Sequence, residues 1–172
     1  MKILILYGSE TGTAQDVAER IWREAKNLQF KGPVMAMDEF DITQLIYQPL
    51  VIFVCSTTGQ GDQPLNMKNF WRYLLRKSLP SNSLSEMKFA VVGLGDSSYV
   101  KFNYAAKKLY KRLISLGGIA ICDVGLADDQ HDLGPDAVID PWISSLWEAL
   151  STYYKFPEGL LPLSYSTLPE PR

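Results

Sequence analysis

Short runs of β-branched and other apolar residues alternate with longer stretches whose apolar residues recur every three to four positions. That alternation constrains the fold more than any other feature. A strand that is apolar on nearly every residue must be covered on both faces, and helices crossing from strand to strand provide the cover. Strands are expected at residues 2–7, 33–37, 50–55, 88–93 and 119–125, the second short and peripheral. Helices are expected at 12–29, where Val17, Ile21, Ala25 and Leu28 share a face, and at 66–77, where Phe70, Tyr73, Leu74 and Leu75 lie opposite Lys68, Arg72 and Arg76. Two more fall at 101–116 and about 138–153. Right-handed crossovers, with the chain doubling back after two strands, give a three-layer α/β sandwich around a five-stranded parallel sheet of order 2-1-3-4-5. Ligands of such sheets sit beyond the carboxyl ends of the strands where the order reverses, here strands one, three and four.

Residues 1–154 are read as one domain, since 172 residues with 47% hydrophobic content suit a single core. From 155 to 172 the periodicity is gone, and Pro157, Gly159, Pro162, Pro169 and Pro171 read as an extended tail, the start of a linker. Ile3 to Tyr7 is far shorter than the roughly 18 residues that span a bilayer, so neither signal peptide nor anchor is expected. A formal charge of −2 offers no positive field for nucleic acid or anionic lipid. Cys55 and Cys122 fall on strands separated by another strand, about 9 to 10 Å apart, which argues against a disulfide and fits a reducing compartment. His131 is the only histidine, which argues against a metal centre and a Ser-His hydrolase.

Three loops follow the three strands that matter. The first, GSETGTAQ at residues 8–15, offers the Ser9, Thr11 and Thr13 hydroxyls beside the amides of a helix N-terminus, a natural anion site. It holds no lysine, unlike the GxxxxGK[ST] loop of nucleoside-triphosphate enzymes. Thr11 or Thr13 has an equally good structural use as a helix cap. The second loop is STTGQGD at 56–62, and the third is GLGDSSYVKFN at 93–103. Gly59 and Gly61 permit a sharp turn against a flat ligand. Tyr99 offers a ring for stacking, worth roughly 0.5–1.5 kcal/mol beyond area burial. The third loop is no dinucleotide fingerprint, because Ser98 stands where GxGxxG ends in glycine. For Phe102 core packing, and for Asn103 a local cap, are the competing structural roles.

TGTA, STTGQGD and GLGDSSYxxFN, each after its proper strand, resemble the flavodoxin-like FMN domain of the diflavin reductase family over residues 2 to about 154. GQGDQPLNMKNFWRYLLRKSLP at 59–80 and LADDQHDLGPDAVIDPW at 126–142 are similar to the branch that serves cytosolic iron–sulfur protein assembly. The resemblance implies that FMN phosphate is held by Ser9, Glu10, Thr11, Gly12, Thr13 and Ala14. It implies ring contacts from Ser56, Thr57, Thr58 and Gly59 and from Leu94, Gly95, Asp96, Ser97, Ser98, Tyr99, Val100, Lys101, Phe102 and Asn103, with a further contact at Asp129. Gly59 is the candidate for the backbone group facing flavin N5. Thr58 stands where microsomal cytochrome reductases carry a second stacking aromatic, so Tyr99 would cover one ring face alone.

The resemblance further implies a cytoplasmic NADPH-dependent oxidoreductase. Electrons would pass from NADPH to FAD on modules beyond this sequence, then to FMN, then singly to an iron–sulfur protein similar to anamorsin. The competing readings are a stand-alone flavodoxin-type carrier, the FMN domain of a cytochrome-reducing diflavin reductase, and a cofactor-free phosphate-sensing module of the same fold. Glu10, Asp62, Asp96, Asp128 and Asp129 surround the expected flavin site and would disfavour negative charge on a reduced ring. Acidic residues at 128–140 and the stripe Lys68, Arg72, Arg76 are either docking surfaces or ordinary solvated faces.

Overall fold

In the computed structural model, residues 1–58 and 60–156 are described. The apolar runs become strands β1 (Leu4–Gly8), β2 (Val34–Ala36), β3 (Leu50–Ser56), β4 (Lys88–Gly95), β5 (Ile119–Ala120) and β6 (Gly125–Asp128). All pair in parallel in the order β2-β1-β3-β4, with β5 and β6 both on the outer side of β4. The expected sheet order is present. The amphipathic stretches become helices α1 (Thr13–Asn27), α2 (Lys68–Leu74), α3 (Tyr104–Ser115) and α4 (Asp136–Leu150).

Because successive strand residues point to opposite faces, the sheet divides the core in two. Ile5, Ile52, Val54, Ala90 and Val92 pack under α1 and α4 with Ile21, Ile143 and Trp147. Leu4, Leu6, Val51, Phe53, Phe89 and Val91 pack under α2 and α3 with Phe70, Leu109 and Leu113. The buried stripe of α1 is Ala14, Ala18, Ile21 and Ala25, small enough to bring the helix close to the sheet. Trp147 Nε1 donates to Glu24 Oε1 at 2.9 Å, and Arg20 meets Asp140 at 2.7 Å, joining α1 to α4. Cys55 lies in one core and Cys122 against the other, both as free thiols.

The structure differs from the periodicity in three places. The last strand is broken, since five residue steps separate Ala120 from Gly125 where three separate their partners Phe89 and Val92. The surplus residues arch away from the sheet, where Trp142 Nε1 donates to the Asp123 carbonyl at 3.0 Å. The crossover from β2 to β3 runs through two 3₁₀ turns, Met37–Glu39 and Ile42–Tyr47. Helix α2 is shorter than expected and has no local cap. Asp38 supplies one from the crossover by accepting the Asn69 and Phe70 amides at 3.2 and 2.7 Å.

Beyond α4, Tyr154 and Phe156 set their rings 5.4 and 5.7 Å from Phe30, which also faces Trp147. Packing therefore continues two residues past the expected boundary. The Pro-rich segment from 157 lies outside the described residues. Among the described residues no helix is long and apolar enough to cross a membrane.

Candidate functional site

Parallel strands place the first, second and third loops at one end of the sheet, after β1, β3 and β4. In the first loop Gly12 has φ +95°, a conformation costly for a side chain, and it starts α1. No side chain caps the helix. Thr11 and Thr13 instead bring their hydroxyl oxygens to 3.5 Å of each other beside the cleft. The first amides of α1, those of Thr13, Ala14 and Gln15, have no intrahelical acceptor, as at any helix start. Behind them the Ser9 hydroxyl accepts the Gly12 amide at 2.8 Å.

The second loop is tied to both of its neighbours. Ser56 Oγ donates to the Gly8 carbonyl at 3.4 Å, and the Thr57 amide donates to the Leu94 carbonyl at 3.2 Å. Thr57 Oγ1 accepts the Ala105 amide at 3.0 Å and so caps α3 from another loop. Thr58 closes a turn with Asp62, its carbonyl and hydroxyl oxygens facing Gly61 and Asp62 amides. Gly59 lies outside the described residues.

In the third loop Asp96 accepts from the Ser98 hydroxyl at 2.6 Å, from the Ser98 amide at 2.9 Å and from Gln130 Nε2 at 3.2 Å. The Ser98 hydroxyl and amide, aided by Gln130, hold its carboxyl below the ordinary carboxylate range. Asp128 Oδ1 accepts the Ser97 and Gln130 amides, both at 2.9 Å. The Ser97 side chain, the Gln130 amide and the Ser97 amide depress its carboxyl likewise. The Asp129 amide donates to the Gly95 carbonyl at 2.9 Å, which brings the end of β6 against the third loop. Tyr99 stands 52% exposed over the cleft, its ring free for a flat partner.

The cleft between the loops has a volume of about 430 Å³ and is lined by Glu10, Thr11, Thr13, Ser56, Thr57, Thr58, Leu94, Gly95, Asp96, Tyr99 and Asp129. That volume lies within the roughly 300–1,000 Å³ range of small-molecule sites. Hydroxyls and uncapped helix amides at one end suit a phosphate monoester, and an exposed phenol ring beside Leu94 suits a planar ring system. Among the described residues that line the cleft there is no lysine or arginine.

Several residues named from the sequence stand outside that lining. Ser9 and Gly12 form the back of the first loop, and Ala14 is buried beneath it. Ser97 and Ser98 brace the third loop from behind. Val100 is 94% exposed, the stem of Lys101 lies over Gly61, and Phe102 sits 5.3 Å below Lys107 Nζ. Asn103, fully buried at φ +53°, is an internal strut. His131 accepts the Leu133 amide through Nδ1 in an exposed turn. Lys68, Arg72 and Arg76 lie along α2 and just past it, and Arg72 borders two shallow grooves apart from the cleft. Sequence reasoning missed Asn66, whose Oδ1 accepts the Ser9 amide at 2.8 Å. Its one visible signal is a polar residue between Leu65 and Met67.

Residues 5–142 match the flavodoxin family. The chain is 60% identical over 161 residues to a Danio rerio protein named NADPH-dependent diflavin oxidoreductase 1, covering 94% of this chain and 27% of that protein. It is 60% identical over 156 residues to the Mus musculus protein of the same name, covering 91% of this chain and 26% of the relative. The chain thus spans about a quarter of the length of the curated relatives it matches. A solved flavodoxin of Streptococcus pneumonia superposes with a TM-score of 0.71 at 20% identity, covering 86% of this chain and 99% of that one, a likeness of fold.

Proposed function

The chain belongs to the flavodoxin family, and from that premise we propose that it is the FMN-binding, electron-transferring domain of a larger NADPH-dependent diflavin oxidoreductase. The observation that carries the reading is the convergence of three loops, after β1, β3 and β4, on one cleft that pairs uncapped helix amides with an exposed aromatic ring. In this reading the Thr13, Ala14 and Gln15 amides and the Thr11 and Thr13 hydroxyls hold the phosphate. Tyr99 covers one ring face, and Ser56, Thr57, Thr58, Leu94 and Gly95 form the wall around the ring and its side chain. Bound in this cleft, FMN would supply the redox chemistry, including one-electron transfer. Glu10, Asp96 and Asp129 surround it with negative charge, which works against retention of electrons.

The named relatives, about three and a half times the length of this chain, support FAD and NADPH modules elsewhere in the full-length protein. On the motif resemblance, the acceptor is an iron–sulfur protein similar to anamorsin, and the setting is cytosolic iron–sulfur assembly. Residues 1–154 are then the folded body, with Phe156 still packed on Phe30, and the segment beyond begins a linker. The likeness to a free flavodoxin along 99% of its length supports a second reading, a diffusible carrier. Flavin-binding and nicotinamide-binding modules in the full-length chain would decide between them.

Melting of the apo-domain with and without FMN tests the cofactor. At a hundredfold excess over Kd, binding adds about 2.7 kcal/mol, a rise of roughly 5–10 °C for a domain of this size. An unmoved melting temperature at saturating FMN overturns the reading. For the acceptor, the reduced domain mixed anaerobically with a [2Fe–2S] protein should reduce the cluster with saturating rates; no cluster bleaching would remove that acceptor class.

A further inference from the structure

The first loop has a brace on the side away from the cleft. Asn66, between β3 and α2, accepts the Ser9 amide at Oδ1 over 2.8 Å. One residue earlier, the Leu65 amide donates to Glu10 Oε1 at 3.0 Å. The next residue, Met67, is fully buried against Gly8, so its neighbour Asn66 is anchored in the α2 and α3 core. Three consecutive residues therefore meet the end of β1 and the first two residues of its loop, across sequence separations of 55 to 59.

These bonds sort the donors of the loop. The Ser9 amide is turned back into Asn66, and the Gly12 amide is turned back into the Ser9 hydroxyl. The donors left for a ligand include the amides that open α1, the loop amides of Glu10 and Thr11, and the hydroxyls of Thr11 and Thr13. Such a cradle contains no cation, so its affinity depends on donors already aimed when the phosphate arrives. A loop with a loose Ser9 would have to be ordered by the ligand, and that ordering would be subtracted from binding.

We infer that Asn66 is a positioning residue that presets the first loop and thereby determines how strongly the site prefers a phosphorylated flavin to the same ring without its phosphate. The inference rests on the FMN reading above. Asn66 is not among the cleft-lining residues and acts only through Ser9. The second and third loops, which would hold the ring, have their own bonds to Leu94, Ala105 and Asp128. Removal of the Asn66 carbonyl should thus weaken the grip on phosphate and leave the grip on the ring alone.

The test compares dissociation constants of FMN and riboflavin, measured by quenching of flavin fluorescence, for the domain and for Asn66→Ala. FMN affinity is expected to fall about tenfold, the net worth of one well-placed hydrogen bond, with riboflavin affinity unchanged. Asn66→Asp keeps an acceptor for the Ser9 amide. In 1 M salt, where screening acts within about 3 Å, it should recover most of the FMN affinity. The Asp variant also decides the matter if Asn66→Ala does not fold. Equal weakening of both flavins, no weakening of either, or an Asp variant no better than Ala at high salt would each overturn the inference. A wild-type domain that binds riboflavin and FMN equally would overturn it while leaving a flavin site intact, whereas one that binds neither removes the FMN reading and this inference together.

Discussion

Asn103 Nδ2 donates to the carbonyl of Ala127 at 3.0 Å, so the residue that precedes α3 is fastened to the interior of β6. Its Oδ1 is fully buried without a donor among the described residues and lies where Cβ atoms on Gly93 and Gly95 would stand. A Cβ on Gly95 would come within 2.9 Å of that oxygen, so the glycines that end β4 make room for the strut. The third loop is thereby held at both ends, by β4 and by Asn103.

Asn103→Ala is expected to destabilise the fold by about 2–5 kcal/mol. An orphaned buried carbonyl costs about 1–3 kcal/mol, and a left-handed alanine adds about 1–2. Asn103→Gly should recover the second part only. Denaturant unfolding of the three proteins measures both, and a loss below about 1 kcal/mol for the alanine variant would contradict the assignment.

Tyr99 is half exposed and its ring is outside both cores, so Tyr99→Ala should leave the apo-domain's stability within about 0.5 kcal/mol of the parent. FMN binding should weaken by about threefold to tenfold or more, from lost stacking and burial. Tyr99→Phe should retain most of the affinity. A Tyr99→Ala domain that binds FMN as tightly as the parent would remove the ring from the site.

Asp129 lines the cleft, and its backbone amide is committed to the Gly95 carbonyl. Asp129→Asn should therefore remove charge without dismantling the loop. The potential at which bound FMN takes up its last electron should rise by roughly 20–60 mV, the one-electron equivalent of about 0.5–1.4 kcal/mol. An anaerobic redox titration that returns the parent's potential would rule out this electrostatic role.

Asp96 and Asp128 have carboxyls held low by hydrogen bonds, first from the Ser98 and Ser97 side chains respectively. A depressed folded pKa means that the contribution is complete above the ordinary aspartate value of about 3.9, and is lost as pH falls through the lower folded value. The stability of the apo-domain should fall on acidification below about pH 4, and Asp96→Asn with Asp128→Asn should flatten that limb. Unfolding free energies measured from about pH 5 down to pH 2 check this, and parallel curves would refute it.

The sheet order and the three ligand loops are legible because β1, β3 and β4 are apolar on both faces and each ends in a glycine-bearing turn. Hydrophobic period reads burial, and burial follows strand position. The break between β5 and β6 is not legible, since Ile119, Ile121 and Val124 continue the apolar pattern through residues that leave the sheet. Nor is the brace at Asn66 or the α2 cap from Asp38, because both are single polar contacts between segments far apart in sequence. The motifs mark the three loops as a group, yet within the third the split between cleft-lining Tyr99 and solvent-facing Val100 comes from the turn closed by Asp96 and Ser98, which no periodicity encodes.

A cradle made of amides and hydroxyls, with carboxylates at its rim, behaves differently from one built on lysine when both meet the crowded anions of a cell. Ammonium and guanidinium groups attract any polyphosphate in proportion to its charge, and a nucleoside triphosphate would win that competition by abundance. Directed dipoles act only over contact distance, while Glu10, Asp96 and Asp129 repel the more heavily charged rivals at longer range. On the proposed reading, selectivity for a single terminal phosphate would come from withholding positive charge, and the domain without its flavin would have no reason to become a sponge for ATP or RNA.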